Sequence, residues 1–253
     1  MHKYFAKTLF LAKKIEFLPE CQSTNDELMR RARQGTVSEG FLLWADHQTG
    51  GKGQRGNTWV SPKGQNLLFS LLLKPRKLLP KEAYLINVLA GLAVHEALEK
   101  FLDLKNVSLK WPNDIYLGGK KAGGILLEAG VTNSTIDKLV IGIGLNVNQT
   151  DFELDTATSL KGVMGYDVNR EELLEQIICA LERYYLLLNA GSKDTILRKY
   201  HDVMMWRGEV HWFRSGDEDF AGEIIGIDQQ GRLVVKTNEQ TRRFEVKEIS
   251  FVR

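Results

Sequence analysis

The residues best suited to chemistry lie in the stretch from Gly50 to Asn66, G-G-K-G-Q-R-G-N-T-W-V-S-P-K-G-Q-N. It has neither helical nor strand periodicity, cannot bury an apolar face, and reads as an ordered loop with a function. Gly51, Gly53 and Gly56 allow positive φ and close backbone approach. Lys52 and Arg55 bring fixed charge, the N–H groups between the glycines suit phosphate oxygens, and Trp59 offers a flat face for a ring. Such a loop could cradle a nucleotide or another phosphoanhydride; it reads equally as a solvated hairpin turn. It is no P-loop, since G-x-x-x-x-G-K-[ST] is missing, and no Rossmann fingerprint, since Pro62 and a β-rich run follow where a helix should begin.

A second stretch is more specific. Lys110-Trp111-Pro112-Asn113-Asp114 closes a run that alternates like a strand, and its proline stops pairing and turns the chain. Asn113 and Asp114 are thereby displayed at a strand end. Lys121 follows seven residues after Asp114, on the neighbouring strand and within reach of the same cavity. Alone, Asp114 also reads as a turn former and Lys121 as a solvated hairpin charge. Ser23-Thr24-Asn25 precedes a helical run with Asp26 and Glu27 three residues on, which reads as a capping box. Hydroxyls and an amide there could also hold a small polar head.

These residues need a sheet to position them. Ile15–Leu18 reads as a strand, and residues 41–45 as a buried strand delivering Gln48 and Thr49 to the loop. Leu67–Leu73 is apolar on both faces and therefore central. An Ala/Leu-rich helix is expected over about 82–102, a strand over 123–128, and a buried strand over 139–148 whose Gly142 and Gly144 permit close approach of a ligand. Asn169 caps a helix with Glu172 as its capping-box partner, and a last helix covers 194–205. From Trp206 onward short alternating strands suggest a small β-barrel. The expected domains are residues 1–205 and 206–253.

Composition narrows the function. The hydrophobic fraction of 43% and charged fraction of 26% are those of a soluble globular protein. A net charge of +2 is too small to argue for duplex nucleic acid as the main partner. Cys21 and Cys179 make no disulfide or metal framework and suit a reducing cytosol, and the five histidines show no metal-ligand spacing. The N-terminal residues do not form a secretory signal and no run could span a bilayer, so a cytoplasmic enzyme is expected, without membrane partners.

Taken in order, Ser23-Thr24-Asn25, the Gln48–Asn57 loop with Trp59, K-W-P-N-D, Lys121-Ala122-Gly123-Gly124-Ile125-Leu126 and Gly142-Ile143-Gly144-Leu145-Asn146 resemble the biotin–protein ligase (biotin–[acetyl-CoA-carboxylase] ligase) family over nearly the whole chain. The resemblance implies an α/β (α+β) fold: a mixed β-sheet flanked by helices, like class II aminoacyl-tRNA synthetases, with an SH3-like C-terminal domain. It implies that biotin attacks the α-phosphate of Mg-ATP to give biotinyl-5′-AMP and pyrophosphate. A lysine of a biotin carboxyl carrier domain then takes the biotin and releases AMP. Ser23, Thr24 and Gln48 would hold the ureido ring with Asn25 beside them, and Gly51, Lys52 and Gly123 would complete the biotin site. Lys121 would contact the biotin carboxylate and the α-phosphate, where negative charge builds. Lys52, Gln54 and Arg55 would hold the adenylate, Trp59 would pack on it, and Asn146 would read adenine. Asp114 would bind Mg2+ or orient the acceptor amine, supported by Asn113.

The family loop commonly reads G-R-G-R-x-G, whereas Lys52 and Gln54 stand at the arginine positions here. Loss of a charge-assisted hydrogen bond would weaken retention of the adenylate by about ten- to a hundredfold, with Arg55 placed to compensate. The glycine content further suggests a loop that orders over the adenylate. Two rivals share the resemblance: a lipoate ligase-type acyltransferase, which K-W-P-N-D and the tryptophan-bearing loop disfavour, and a biotin-responsive transcriptional regulator. Only 22 residues precede Ser23, too few for a helix-turn-helix, so no DNA partner is expected. An edge strand could pair two copies into a homodimer.

Overall fold

The computed structural model describes residues 7–75, 78–102 and 106–252, without the side chain of Arg55. Seven strands form one mixed sheet: β1 (Ile15–Leu18), β2 (Leu42–Ala45), β3 (Leu67–Leu73), β4 (Val107–Lys110), β5 (Asp114–Leu117), β6 (Lys120–Thr132) and β7 (Thr135–Leu145). Their spatial order is β1-β2-β3-β7-β6-β5-β4, with β1 and β2 parallel and every other pair antiparallel.

β3 is buried along its whole length, as a strand apolar on both faces must be. Its Leu67, Phe69, Leu71 and Leu73 face the main core, where α2 (Ala83–Leu98) and α4 (Arg170–Asn189) pack. Leu72 faces the opposite way, with Leu43 and Val140, against Leu28, Met29 and Ala32 of α1 (Thr24–Arg33). The period of two thus divides the sheet between a large apolar layer and the face under α1.

α1 starts where its cap predicts: the Ser23 hydroxyl accepts the Asp26 N–H, and Gly35 at φ 72° follows the helix end. α2 ends at Leu98 rather than 102, and twelve of its sixteen residues are buried, so an apolar helix is sandwiched here rather than amphipathic. Asn169 caps α4 by accepting the N–H groups of Glu171 and Glu172. α5 (Lys193–Asp202) stops three residues short of the expected end. A five-residue helix, α3 (Leu160–Met164), has no sequence-level counterpart because it is too short to establish a period.

A second, antiparallel sheet contains β8 (Val210–Ser215), β9 (Glu218–Ile227), β10 (Leu233–Lys236), β11 (Thr241–Phe244) and β12 (Ser250–Phe251), in the order β11-β10-β9-β8-β12. Phe213, Phe220, Phe244 and Phe251 pack together within it. It is held against the first sheet by Trp111 Nε1 donating to Gly231 O at 3.0 Å and by the Lys110 ammonium 4.5 Å from the Phe251 ring centre.

Candidate active site

The cleft lies on the α1 face, and its floor is two adjacent cross-strand rows. One runs Asp114, Gly124, Gly144, Leu68 across β5, β6, β7 and β3; the next runs Leu126, Gly142, Ser70 across β6, β7 and β3. The glycines keep this floor low, but the space above two of them is not open to a ligand as expected. A Cβ on Gly142 would sit 2.1 Å from Asn25 Oδ1, and one on Gly144 would sit 2.7 Å from Trp59 Cε2. Asn25 and Trp59 therefore rest directly on β7.

At one end of the cleft uncharged polar residues form a network. Gln48 Oε1 accepts the Thr24 N–H at 2.7 Å and lies 3.0 Å from Thr24 Oγ1. Ser70 Oγ lies 2.8 Å from Thr24 Oγ1 and 2.6 Å from Asn25 Oδ1, donating to one of them. Asn25 Nδ2 donates to Leu126 O at 3.3 Å. Ser23, Thr24, Asn25 and Gln48 all line the cleft as expected. Ser70 joins them with only a weak sequence signal, a lone hydroxyl in L-L-F-S-L-L-L, which once buried must find a partner. The neighbouring Cys21 thiol is pushed up to about 11, mainly by burial and then by Glu27 and Glu20, which keeps it an inert thiol at neutral pH.

The 50–66 loop folds back over the floor. Only Gly56 of its three singled-out glycines takes positive φ, at 84°; Gly53 sits at −103°. Gly51 serves close approach instead: Gly51 O accepts the Trp59 N–H at 2.9 Å, and a Cβ there would meet Trp59 O at 2.5 Å. Lys52 opposes Thr58, and Gln54–Gly56 makes one 3-10 turn. Lys52, Gln54 and Trp59 line the cleft. The buried Trp59 Nε1 has no partner among the described residues and lies against the floor, 3.0 Å from where a Cβ on Gly144 would stand. The side chain of Arg55, and so its expected compensating role, lies outside the described residues.

Lys121 enters the cleft because of an irregularity. Asp114 opposes Gly124 and Ile115 opposes Gly123, but Tyr116 opposes Lys121, so β6 carries one extra residue at Ala122. This bulge puts Lys121 on the same face as Gly124 and Asp114, and Lys121 Nζ lies 2.6 Å from Asp114 Oδ1. Of the two adjacent glycines it is Gly124 that lines the cleft; the missing Cβ of Gly123 faces Gly144 O, Leu145 and Ile115 in the sheet. Asn113 lines the cleft and ties β5 to β6, donating to Ile125 O at 2.8 Å and accepting the Ile125 N–H on its backbone oxygen. Asn146 stands just past β7 and donates to Thr158 O at 3.0 Å, while Thr158 N donates to Lys121 O at 2.9 Å. It thus braces the segment beside Lys121 and does not line the cleft described above.

Among the described residues no group of three or more His, Cys, Asp or Glu could cage a metal ion. Asp114 is a single carboxylate already paired with Lys121, a donor set that suits Mg2+ only as an escort of phosphates. No helix among the described residues is long and apolar enough to cross a membrane.

Residues 18–146 match the biotin/lipoate A/B protein ligase family, and residues 213–252 match the biotin protein ligase C terminal domain. The chain is 33% identical to the bifunctional ligase/repressor BirA of Bacillus subtilis, over 90% of this chain and 70% of that protein. It is 31% identical to the biotin–[acetyl-CoA-carboxylase] ligase of Mycobacterium tuberculosis, over 90% of this chain and 85% of that one. Its fold superposes on biotin protein ligase from Aquifex aeolicus in complex with biotin and ATP, with TM-score 0.78 and 32% identity, covering 95% of this chain and 99% of that one.

Proposed function

Because this chain belongs to the biotin/lipoate A/B protein ligase family, we infer that it is an ATP-dependent biotin–protein ligase. It converts biotin and ATP to biotinyl-5′-AMP and pyrophosphate, and transfers the biotin to a lysine of a carboxylase's carrier domain. The match to the biotin protein ligase C terminal domain favours biotin over lipoate.

The observation that carries the chemistry is the division of the cleft. Uncharged hydroxyls and amides gather at Thr24, Asn25, Gln48 and Ser70, and the Lys121 ammonium stands over the neighbouring row. That arrangement fits a molecule with a neutral polar ring at one end and a carboxylate at the other. Ser23, Thr24, Asn25 and Gln48, with Ser70 behind them, hold the ureido ring. Lys121 meets the carboxylate and the attacked phosphorus, where its fixed charge stabilises the charge that develops. Asp114 keeps the ammonium oriented, and Asn113 fixes the two strands that carry the pair. Trp59 lies directly on the glycine floor and packs against the adenylate from the side, helping to exclude water from the mixed anhydride. Gln54 and Lys52 border the phosphate side, and Asn146 braces Lys121 through Thr158 in addition to the adenine contact implied for it. Mg2+ bound with ATP would neutralise phosphate charge, with Asp114 the carboxylate facing it. Residues 1–205 form the catalytic unit in this reading and 206–253 the SH3-like unit.

ATP–pyrophosphate exchange, run with biotin and with lipoate, tests the assignment. Exchange with biotin alone, lost in Lys121→Ala, is the expected result; exchange with lipoate alone would overturn it.

A further inference from the structure

Lys52 does not stand free to meet a phosphate. Its ammonium lies 2.6 Å from Asp26 Oδ1, in the first turn of α1. That hydrogen bond raises the lysine's pKa, and Glu128 on β6 adds a second negative charge to its surroundings. Asp26 follows Ser23, Thr24 and Asn25 on the same turn, so the pair ties the loop to the element that presents the head-group residues.

The loop is otherwise fastened at its base. Thr49 N donates to Cys21 O at 3.0 Å and Gly50 N to Gln22 O at 2.8 Å. Beyond that point the hairpin is held across itself: Lys52 opposes Thr58, Gly53 N donates to Asn57 O at 2.7 Å, and Trp59 N donates to Gly51 O at 2.9 Å. In a hairpin this short, a restraint on Lys52 is a restraint on Trp59, whose ring covers Gly144 and touches the space above Gly124.

We propose that Asp26 is a latch: through its ion pair with Lys52 it holds the 50–59 hairpin and Trp59 down over the cleft, and so sets how long the acyl-adenylate is retained. Asp26 is a positioning residue in this account and touches no substrate. The proposal rests on the ligase reading for its consequence and on geometry alone for the latch. The loop is closed by a protein carboxylate before any phosphate arrives, and the intermediate leaks at the rate at which the pair opens.

The test has two arms. Hydrogen exchange of the Gly53 and Trp59 amides in the ligand-free protein reports the latch itself. The rate at which biotinyl-5′-AMP leaves its preformed complex reports retention. Asp26→Asn should accelerate both by roughly two- to fivefold, the range open to a half-exposed pair. Asp26→Glu should restore both, the double variant Asp26→Asn/Lys52→Gln should be no faster than either single one, and the difference should shrink in about 0.5 M salt. Unchanged exchange in Asp26→Asn overturns the latch. Faster exchange with unchanged release overturns its bearing on retention. If the wild type forms no biotinyl-5′-AMP, the ligase reading fails, and the exchange arm still decides the latch.

Discussion

Lys121 Nζ and Asp114 Oδ1 stand 2.6 Å apart because β6 carries one residue more than β5 between Gly124 and the turn. Were Ala122 an ordinary strand residue rather than the extra one, alternation would send Lys121 to the opposite face of the sheet from Asp114. The pair is partly open to solvent, with the lysine side chain 39% and the aspartate 20% exposed, and its value lies less in stability than in aim: the carboxylate holds a flexible four-carbon ammonium in one place.

Asp114→Asn keeps the shape of the pair and removes its charge. Adenylation should slow by about ten- to a hundredfold while the KM for biotin stays within about threefold, because orientation of Lys121 matters most where charge develops. Pyrophosphate exchange over a range of biotin concentrations separates the two. A raised KM with unchanged kcat would show instead that Asp114 acts through ground-state binding.

The two glycines of β7 should fail differently. Gly142→Ala drives a methyl into Asn25, and Gly144→Ala drives one into Trp59. Each overpacks a filled site and should cost about 1–3 kcal/mol of stability. Gly142→Ala should raise the KM for biotin with little effect on ATP, and Gly144→Ala should shift the tryptophan fluorescence and weaken adenylate binding. Identical effects on both substrates in both variants would mean that the floor does not divide in this way.

These glycines also show where sequence reasoning stops. Their smallness is legible, and so is the need for close approach; whether a ligand or the protein's own side chain comes close is not, since Asn25 and Trp59 arrive from segments distant in sequence. Ser23, Thr24, Asn25, Gln48, Asn113 and Lys121 converge as read because they stand at strand ends and a helix start, where local signals are strong. Gly124 replaces Gly123 at the cleft because the bulge at Ala122 changes the alternation, and nothing in K-K-A-G-G-I-L announces a bulge. The partner of Lys52 is hidden for the same reason as that of Ser70: a cross-chain contact has no period.

Gln54 borders the cleft without a charge, and Lys52 is engaged by Asp26. Gln54→Arg should therefore add a phosphate ligand and slow release of biotinyl-5′-AMP by about ten- to a hundredfold, the value of one charge-assisted hydrogen bond. An unchanged off-rate would mean that position 54 does not reach the phosphate.

His201 makes the junction between α5 and the second sheet sensitive to pH. Its Nε2 accepts the Ile227 N–H at 3.0 Å, which requires the neutral ring, and burial followed by Arg207 lowers its pKa, with Asp202 opposing. Above the unfolded value of about 6.5 both states are neutral and the contribution is complete. As pH falls below it the unfolded chain takes up the proton first, so stability is lost down to the folded value. His95, buried beside Glu99, adds in the same direction. Urea midpoints at about pH 7.5 and 5.5 should differ, and by less in His201→Gln, whose amide oxygen can accept the same N–H without titrating; an equal difference would exonerate His201.

Glu182 fastens the N-terminal segment to α4. The residue is 5% exposed, and its two carboxylate oxygens accept the N–H groups of Leu9, Phe10 and Leu11 at 2.6, 2.8 and 2.8 Å. Leu11 and Ala12, fully buried, follow directly and join the main core. Three bonds to one carboxylate fix a chain with no regular structure, and its negative charge is balanced by the amide dipoles that converge on it. Glu182→Ala leaves three donors short of partners and should cost about 3–5 kcal/mol. Glu182→Gln should cost less, since one oxygen still accepts while the amide nitrogen opposes an N–H. Urea unfolding measures both. Because the segment packs on the helix layer and not on the α1 face, the KM for biotin should be unchanged in the folded Glu182→Gln protein, and a raised KM would show that the N-terminal segment communicates with the cleft.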